Sequence, residues 1–193
     1  MTEQKTISRS TGWWGMWTLI ATESALFGYL LFAYFYLDAQ AEHHWPPKGL
    51  PDLTMPGLNT LLLLSSSFFV WLAERGLKRD KRTSCMGFMV VAIILGAGFV
   101  AVQLREWRRS NYSPSSDIYG SLYFTITGFH MLHVVIGLIV LSLLLLWTGL
   151  GYFNPKRYSA LSIGGLYWHF VDAVWLFIFT SLFLLPYLPW RMS

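Results

Sequence analysis

Five side chains able to move a proton or ligate a metal stand inside long apolar runs of this sequence: Glu23, His130, His133, His169 and Asp172. His130 and His133 are three residues apart, as are His169 and Asp172, and that spacing puts each pair on one face of a helix. Imidazole pairs ligate haem iron or copper, carboxylates carry protons, and both kinds of group also serve as hydrogen-bonded anchors between helices. Two histidines on one helix leave the other coordination positions to be filled, with only His169 at hand, so hydrogen bonding in a core suits them better than ligation. Burial disfavours the charged form of a carboxyl. Glu23, in "TLIATESALFGY", therefore reads equally as a proton carrier and as a neutral structural acid. In "YWHFVDAVWLFIFTSLFLLP", Trp168, Asp172 and Trp175 share a face, and the His169–Asp172 pair reads most simply as a tie to neighbouring helices. Glu74 and Glu106, beside Arg75 and Arg105 at the ends of apolar runs, read as interfacial.

Such groups need elements that hold them in oil. The chain has 193 residues, 54% hydrophobic and only 12% charged, against about 25% charged in a typical soluble domain. Apolar runs at 13–37, 57–75, 85–104, 119–147 and 161–185 are each long enough to cross a membrane as a helix and too long for barrel strands. The expectation is an all-α, polytopic membrane protein: one transmembrane domain over residues 1–193, built as a bundle of five helices. The first run, from Trp13, lacks a small-residue cleavage site and reads as a retained span rather than a signal peptide. The lone Cys85 excludes an intramolecular disulfide, an iron–sulfur cluster and a cysteine-rich zinc site. The net charge of +4 lies in short loops, with no clustered basic face for nucleic acid.

Counting along these spans gives depth. Glu23 lies ten residues into the first span and Asp172 eleven into the fifth, while His130 and His133 lie eleven and fourteen into the fourth. At ~1.5 Å per residue, all four fall near the middle of a ~30 Å hydrocarbon layer. A charge there costs at least about 2.5–3.5 kcal/mol, so these groups should face the bundle or a partner subunit, paired or neutral.

The positive-inside rule orients the bundle. One side collects Lys5, Arg9, Arg75, Lys78, Arg79, Lys81, Arg82, Lys156 and Arg157; the other has Lys48, Arg105, Arg108, Arg109 and Arg191. The amino end is therefore expected in the cytoplasm. Trp13, Trp14, Trp45, Trp107, Trp147 and Trp190 lie near span ends, where amphipathic rings prefer the headgroup zone. Ser121, Thr125, Gly128 and Gly137 form a small-residue track suited to close helix packing. No nucleotide loop, nucleophile elbow, helical zinc motif or triad is present, and nothing builds a complete active site. An accessory subunit packed against something else is the expectation.

The same residues carry a family likeness. "YGSLYFTITGFHMLHVVIG" and "YWHFVDAVWLFIF" resemble the last two helices of subunit III of haem-copper oxidases. "ATESALFGYLLFAYFY" resembles its acidic helix, "LNTLLLLSSS" the start of another, and "VQLREW" its Gln-x-x-Glu segment. The resemblance implies a subunit without a redox centre, beside a subunit I that, with subunit II, carries the haems and copper. It implies that this subunit sustains proton uptake, protects the catalytic centre in turnover and holds phospholipid. Glu23 then matches the family's reactive carboxylate, and His130, His133, His169 and Asp172 its intramembrane polar set, with no catalytic, cofactor or metal residue in this chain. The mitochondrial form has seven helices and this chain resembles it from the third onward, which implies the short form of a bacterial cytoplasmic (inner) membrane. The family's lipid-binding arginine aligns with Trp147.

The implied activity is that of a proton-pumping oxidase passing electrons from cytochrome c to oxygen, with subunit I, other oxidase subunits and membrane lipid as partners. Equivalent subunits of ubiquinol oxidases and nitric oxide reductases are the alternative, and Glu23 with "YWHFVD" leans towards the cytochrome c branch. A stand-alone transporter is weaker: transporters show repeats and broken helices at their sites, and none of these spans has an interior proline.

Overall fold

Hydrocarbon offers no water to a backbone N–H or C=O, so each apolar run must satisfy itself as a helix. The computed structural model describes residues 11–41, 45–47, 49–153 and 158–188. Its helices are α1 (Thr11–Gln40), α2 (Thr54–Lys78), α3 (Arg82–Arg109), α4 (Ile118–Gly149) and α5 (Ser159–Phe179). α5 runs on through a π turn, Thr180–Leu184, and a 3₁₀ turn, Leu185–Tyr187. Among the described residues there are no strands, and all five helices are long and apolar enough to span a membrane. Lys5, Arg9, Lys48, Lys156, Arg157, Trp190 and Arg191, used above for orientation and interface, lie outside the described residues.

α1 to α4 outrun their apolar stretches, and α5 does so only with its π and 3₁₀ turns, because hydropathy marks the oil-facing part while the backbone ladder continues to a cap or breaker. Asp117 caps α4, its Oδ1 accepting the Gly120 N–H at 2.6 Å. Pro186 has no N–H to give the turn before it, and regular α-helix ends upstream at Phe179. α2 and α3 form a tight hairpin in which the Lys81 N–H reaches back to the Gly76 carbonyl at 2.9 Å and Asp80 takes a left-handed φ of 58°. The Arg82 guanidinium donates to the Gly149 carbonyl, tying the start of α3 to the end of α4.

α5 is the most enclosed helix and α1 the least. Lipid tails are as apolar as leucine, so close packing and hydrogen bonds, rather than expulsion of water, hold such helices together. Trp168 of α5 shows the packing. A β-carbon on Gly96 of α3 would stand 2.8 Å from its indole, and one on Gly137 of α4 2.7 Å. The ring thus fills a slot that only glycines leave open on both sides.

The small-residue track is corrected in part. Gly137 is buried against Trp168, but Ser121 and Thr125 are exposed, and the Thr125 hydroxyl turns back onto the Ser121 carbonyl at 2.7 Å. Among the described residues the Ser121–Thr125–Gly128 face meets no second helix tightly; the nearest neighbour of a β-carbon on Gly128 would be the Trp107 ring at 4.0 Å.

Candidate functional site

Shared depth put Glu23, His130, His133 and Asp172 in one layer, but helix azimuth divides them. Glu23 and His133 meet at the α1–α4 contact, His130 turns to the α5 backbone, and His169, on the same face of α5 as Asp172, meets α2.

In the first of these, His133 Nε2 lies 3.0 Å from Glu23 Oε2, and its Nδ1 lies 2.7 Å from the Phe129 carbonyl. A carbonyl oxygen only accepts, so Nδ1 carries a hydrogen. A neutral imidazole has one N–H, which leaves Nε2 bare unless a proton sits in the bond to Glu23. Either Glu23 is the acid and donates to Nε2, or Nε2 is protonated and donates to a carboxylate. Both forms hold one proton between the residues and are neutral overall, which is what a membrane interior tolerates. The Phe27 ring stands edge-on to His133 at 5.2 Å, and the Tyr167 hydroxyl donates to the His133 carbonyl at 3.3 Å. Glu23 keeps 27% of its side chain exposed, whereas His133 keeps 10%.

His130 is 1% exposed, packed by Phe27, Phe99 and Trp175, with Nε2 at 3.1 Å from the Val171 carbonyl. The carbonyl again places the hydrogen on Nε2. His130 thereby joins α4 to α5.

The last cluster lies along the α2–α5 seam. Ser162 Oγ donates to Glu74 Oε1 at 2.5 Å, Ser67 Oγ meets His169 Nδ1 at 2.5 Å, and the Trp175 N–H donates to Thr60 Oγ1 at 3.0 Å. The partners step by seven along α2 (74, 67, 60) and by seven and six along α5 (162, 169, 175), an antiparallel register repeating every two turns. Between these rungs the Trp168 N–H donates to Ser66 Oγ at 3.0 Å. On the shared face of Trp168, Asp172 and Trp175, the two tryptophans are met by hydroxyls of α2, while Asp172 is buried between them with its Oδ1 unpartnered. Glu74, expected at the interface, is a rung of this seam and holds Lys78 at 2.8 Å.

Glu106 likewise belongs to a network. Asn59 Nδ2 donates to Gln103 Oε1 at 2.9 Å, Gln103 Nε2 to Glu106 Oε2 at 2.9 Å, and the Tyr123 hydroxyl to Glu106 Oε1 at 2.6 Å. These residues join α2, α3 and α4 beside a 240 Å³ cleft lined by Asp52, Arg109, Tyr112, Tyr119 and Tyr123. Asn59, Gln103 and Tyr123 lie in stretches that carry the family likeness, but none was singled out from the sequence. Among the described residues no group of three or more His, Cys, Asp or Glu is arranged to hold a metal ion.

Known proteins share this chain's pattern nearly end to end. The family described as cytochrome c oxidase subunit III matches residues 3–187. Cytochrome c oxidase subunit 3 of Thermostichus vulcanus is 33% identical over 174 residues, covering 89% of this chain and 86% of that protein. The subunits 3 of Pan troglodytes and Homo sapiens are 34% and 33% identical over 177 residues, covering 88% of this chain and 68% of each relative. With five membrane-length helices and this breadth of match, the chain is a multi-pass membrane protein that belongs to the cytochrome c oxidase subunit III family.

Proposed function

We propose that this chain is the non-redox subunit III of a proton-pumping haem-copper oxidase that passes electrons from cytochrome c to oxygen. Residues 1–193 act as one transmembrane domain in a bacterial cytoplasmic membrane, amino end inside. The chain packs on subunit I, which with subunit II carries the haems and copper, and its outward apolar faces meet other oxidase subunits and phospholipid. Its own part is to sustain proton uptake into subunit I and to stabilise that subunit during turnover. Glu23, His130, His133, His169 and Asp172 serve as proton-handling and positioning groups, with no catalytic, cofactor or metal residue among them.

One observation carries the reading: the Glu23–His133 pair holds a single proton at the edge of the bundle, with 27% of the Glu23 side chain open to whatever lies alongside. A partly exposed acid at membrane depth is poorly served by lipid tails, and a partner subunit offers it cover. The test is to strip this chain from the purified complex with detergent. The expected result is unchanged haem content, slower proton uptake and faster inactivation during turnover. Uptake and lifetime equal to those of the intact complex would overturn the proposal.

A further inference from the structure

The 240 Å³ cleft beside the Asn59–Gln103–Glu106–Tyr123 network lies between the start of α2, the end of α3 and the start of α4. Its wall carries charge of both signs: Asp52 and Arg109, both exposed, and half-buried Glu106. The Asn59 N–H on the Gln103 oxygen orients that amide, so the Gln103 N–H points at Glu106 Oε2, while the Tyr123 hydroxyl takes Oε1. Both donors are neutral. Among the described residues, none of Glu106, Asp52 and Arg109 is in an ion pair. Phenol rings complete the wall, Tyr112, Tyr119 and Tyr123 following one another at 4.7 and 6.4 Å between centroids. Tyr119 is 3% exposed, and its hydroxyl has no hydrogen-bond partner among the described residues. That oxygen is not sealed in, so it opens on the cleft that the ring lines.

These features select a ligand. A carboxylate and a free phenol oxygen accept N–H bonds, and aromatic faces attract cations, which calls for an ammonium group with hydrogens to give. A guanidinium holds a phosphate by two parallel bonds, which calls for an anion a few atoms away. Drug-sized ligands occupy about 300–1,000 Å³, so this cleft suits a smaller group. The helix ends around it set it at the level of membrane headgroups, where phosphate esters of amino alcohols are abundant zwitterions.

We propose that this cleft binds a short zwitterion of the phosphoethanolamine type, its primary ammonium bonded to Glu106 and the Tyr119 hydroxyl and its phosphate held by Arg109. Asp52, at the rim, adds to the attraction for the ammonium. The zwitterion comes either as the head of a membrane lipid or as a soluble ester. The site is polar and distinct both from the apolar faces that meet lipid tails and from the Glu23–His133 pair. It stands whether or not the oxidase reading does.

The experiment titrates glycerophosphoethanolamine into the purified full-length protein in a nonionic detergent and reads the heat of binding. A second arm places the protein in phosphatidylglycerol nanodiscs doped with phosphatidylethanolamine and counts the retained lipid by native mass spectrometry. One saturable site is expected, with glycerophosphocholine, which has no N–H to give, binding about tenfold more weakly. Tyr119→Phe removes only an unpartnered hydroxyl and Arg109→Leu only an exposed charge, so both variants should fold as the wild type does. Each should weaken binding by about tenfold. Binding of the soluble ester places the source in solution; a single lipid retained only in nanodiscs, and lost in Arg109→Leu, places it in the membrane. No site in either arm, a choline ester bound as tightly as the ethanolamine ester, or unchanged affinity in either variant would each overturn the proposal.

Discussion

Glu23 of α1 and His133 of α4 are joined at 3.0 Å by a bond that must contain one proton, because the Phe129 carbonyl has already claimed the hydrogen on the other imidazole nitrogen. The pair is neutral whichever partner holds the proton, so it can sit in the membrane.

Glu23→Gln should keep this contact, since an amide N–H can donate to His133 Nε2. The variant should assemble and melt close to wild type. Glu23→Leu leaves Nε2 unmet and should cost about 1–3 kcal/mol, read as a lower melting temperature in detergent. The double change Glu23→Leu/His133→Leu should recover most of that loss, the signature of a coupled pair.

Packing and hydrogen bonding at Trp168 can be separated. Ser66→Ala removes one interhelical bond, worth about 0.6 kcal/mol on average within membranes. Gly137→Val pushes branched carbons into the indole, which a single β-carbon would already meet at 2.7 Å, and overpacking of this kind typically costs about 1–3 kcal/mol or more. Protease resistance of the purified protein should fall sharply for Gly137→Val and barely for Ser66→Ala.

In the Asn59–Gln103–Glu106–Tyr123 network, Gln103→Leu strands the buried amide of Asn59 and should destabilise by about 1–3 kcal/mol. Asn59→Leu/Gln103→Leu should cost less than the single Gln103 change, as denaturant titration of the detergent-solubilised protein would show. Equal costs would mean that the amide–amide bond contributes little.

One pH effect follows from Asp52, just before α2. Its carboxylate accepts the Thr54 N–H at 2.9 Å and the Thr54 hydroxyl at 2.8 Å, which holds its pKa below the ordinary 3.8. A depressed pKa gives stabilisation that is present above the unfolded value and lost as pH falls through the folded one. The first turn of α2 should therefore be protected from amide exchange at neutral pH and lose that protection below about pH 3.8. Asp52→Ala should be frayed at both.

Much of this was legible in the sequence because a membrane narrows the choices. Apolar length marked five helices, and counting residues into the spans put Glu23 and His133 at one height, where the structure has them bonded. Counting gives height and not azimuth. For that reason Asp172, expected in the same layer, has no bond to Glu23 or His133 and shares the face of α5 that His169 turns to Ser67. The receivers on α2, Thr60, Ser66, Ser67 and Glu74, were harder to see, because scattered hydroxyls in an apolar helix usually bond their own backbone. Ser66 and Thr60 do so as well, donating to the Leu63 and Pro56 carbonyls, which leaves each oxygen free to accept from a tryptophan. Their heptad register becomes visible only with α5 in place. The partners of Glu106 were hidden for a related reason: Arg105 stands beside it in sequence, but one step along a helix turns the side chain about 100°, towards Gln103 and Tyr123.

The central claim is that this chain works as subunit III of a cytochrome c oxidase. Its most direct test is to isolate the tagged chain from its own membrane in mild detergent and identify, by absorption spectrum and mass spectrometry, what comes with it. The account predicts a haem- and copper-bearing subunit I in stoichiometric amount, in a complex that oxidises cytochrome c with oxygen. A colourless chain that purifies alone, or a complex that oxidises only quinol or reduces only nitric oxide, would contradict it.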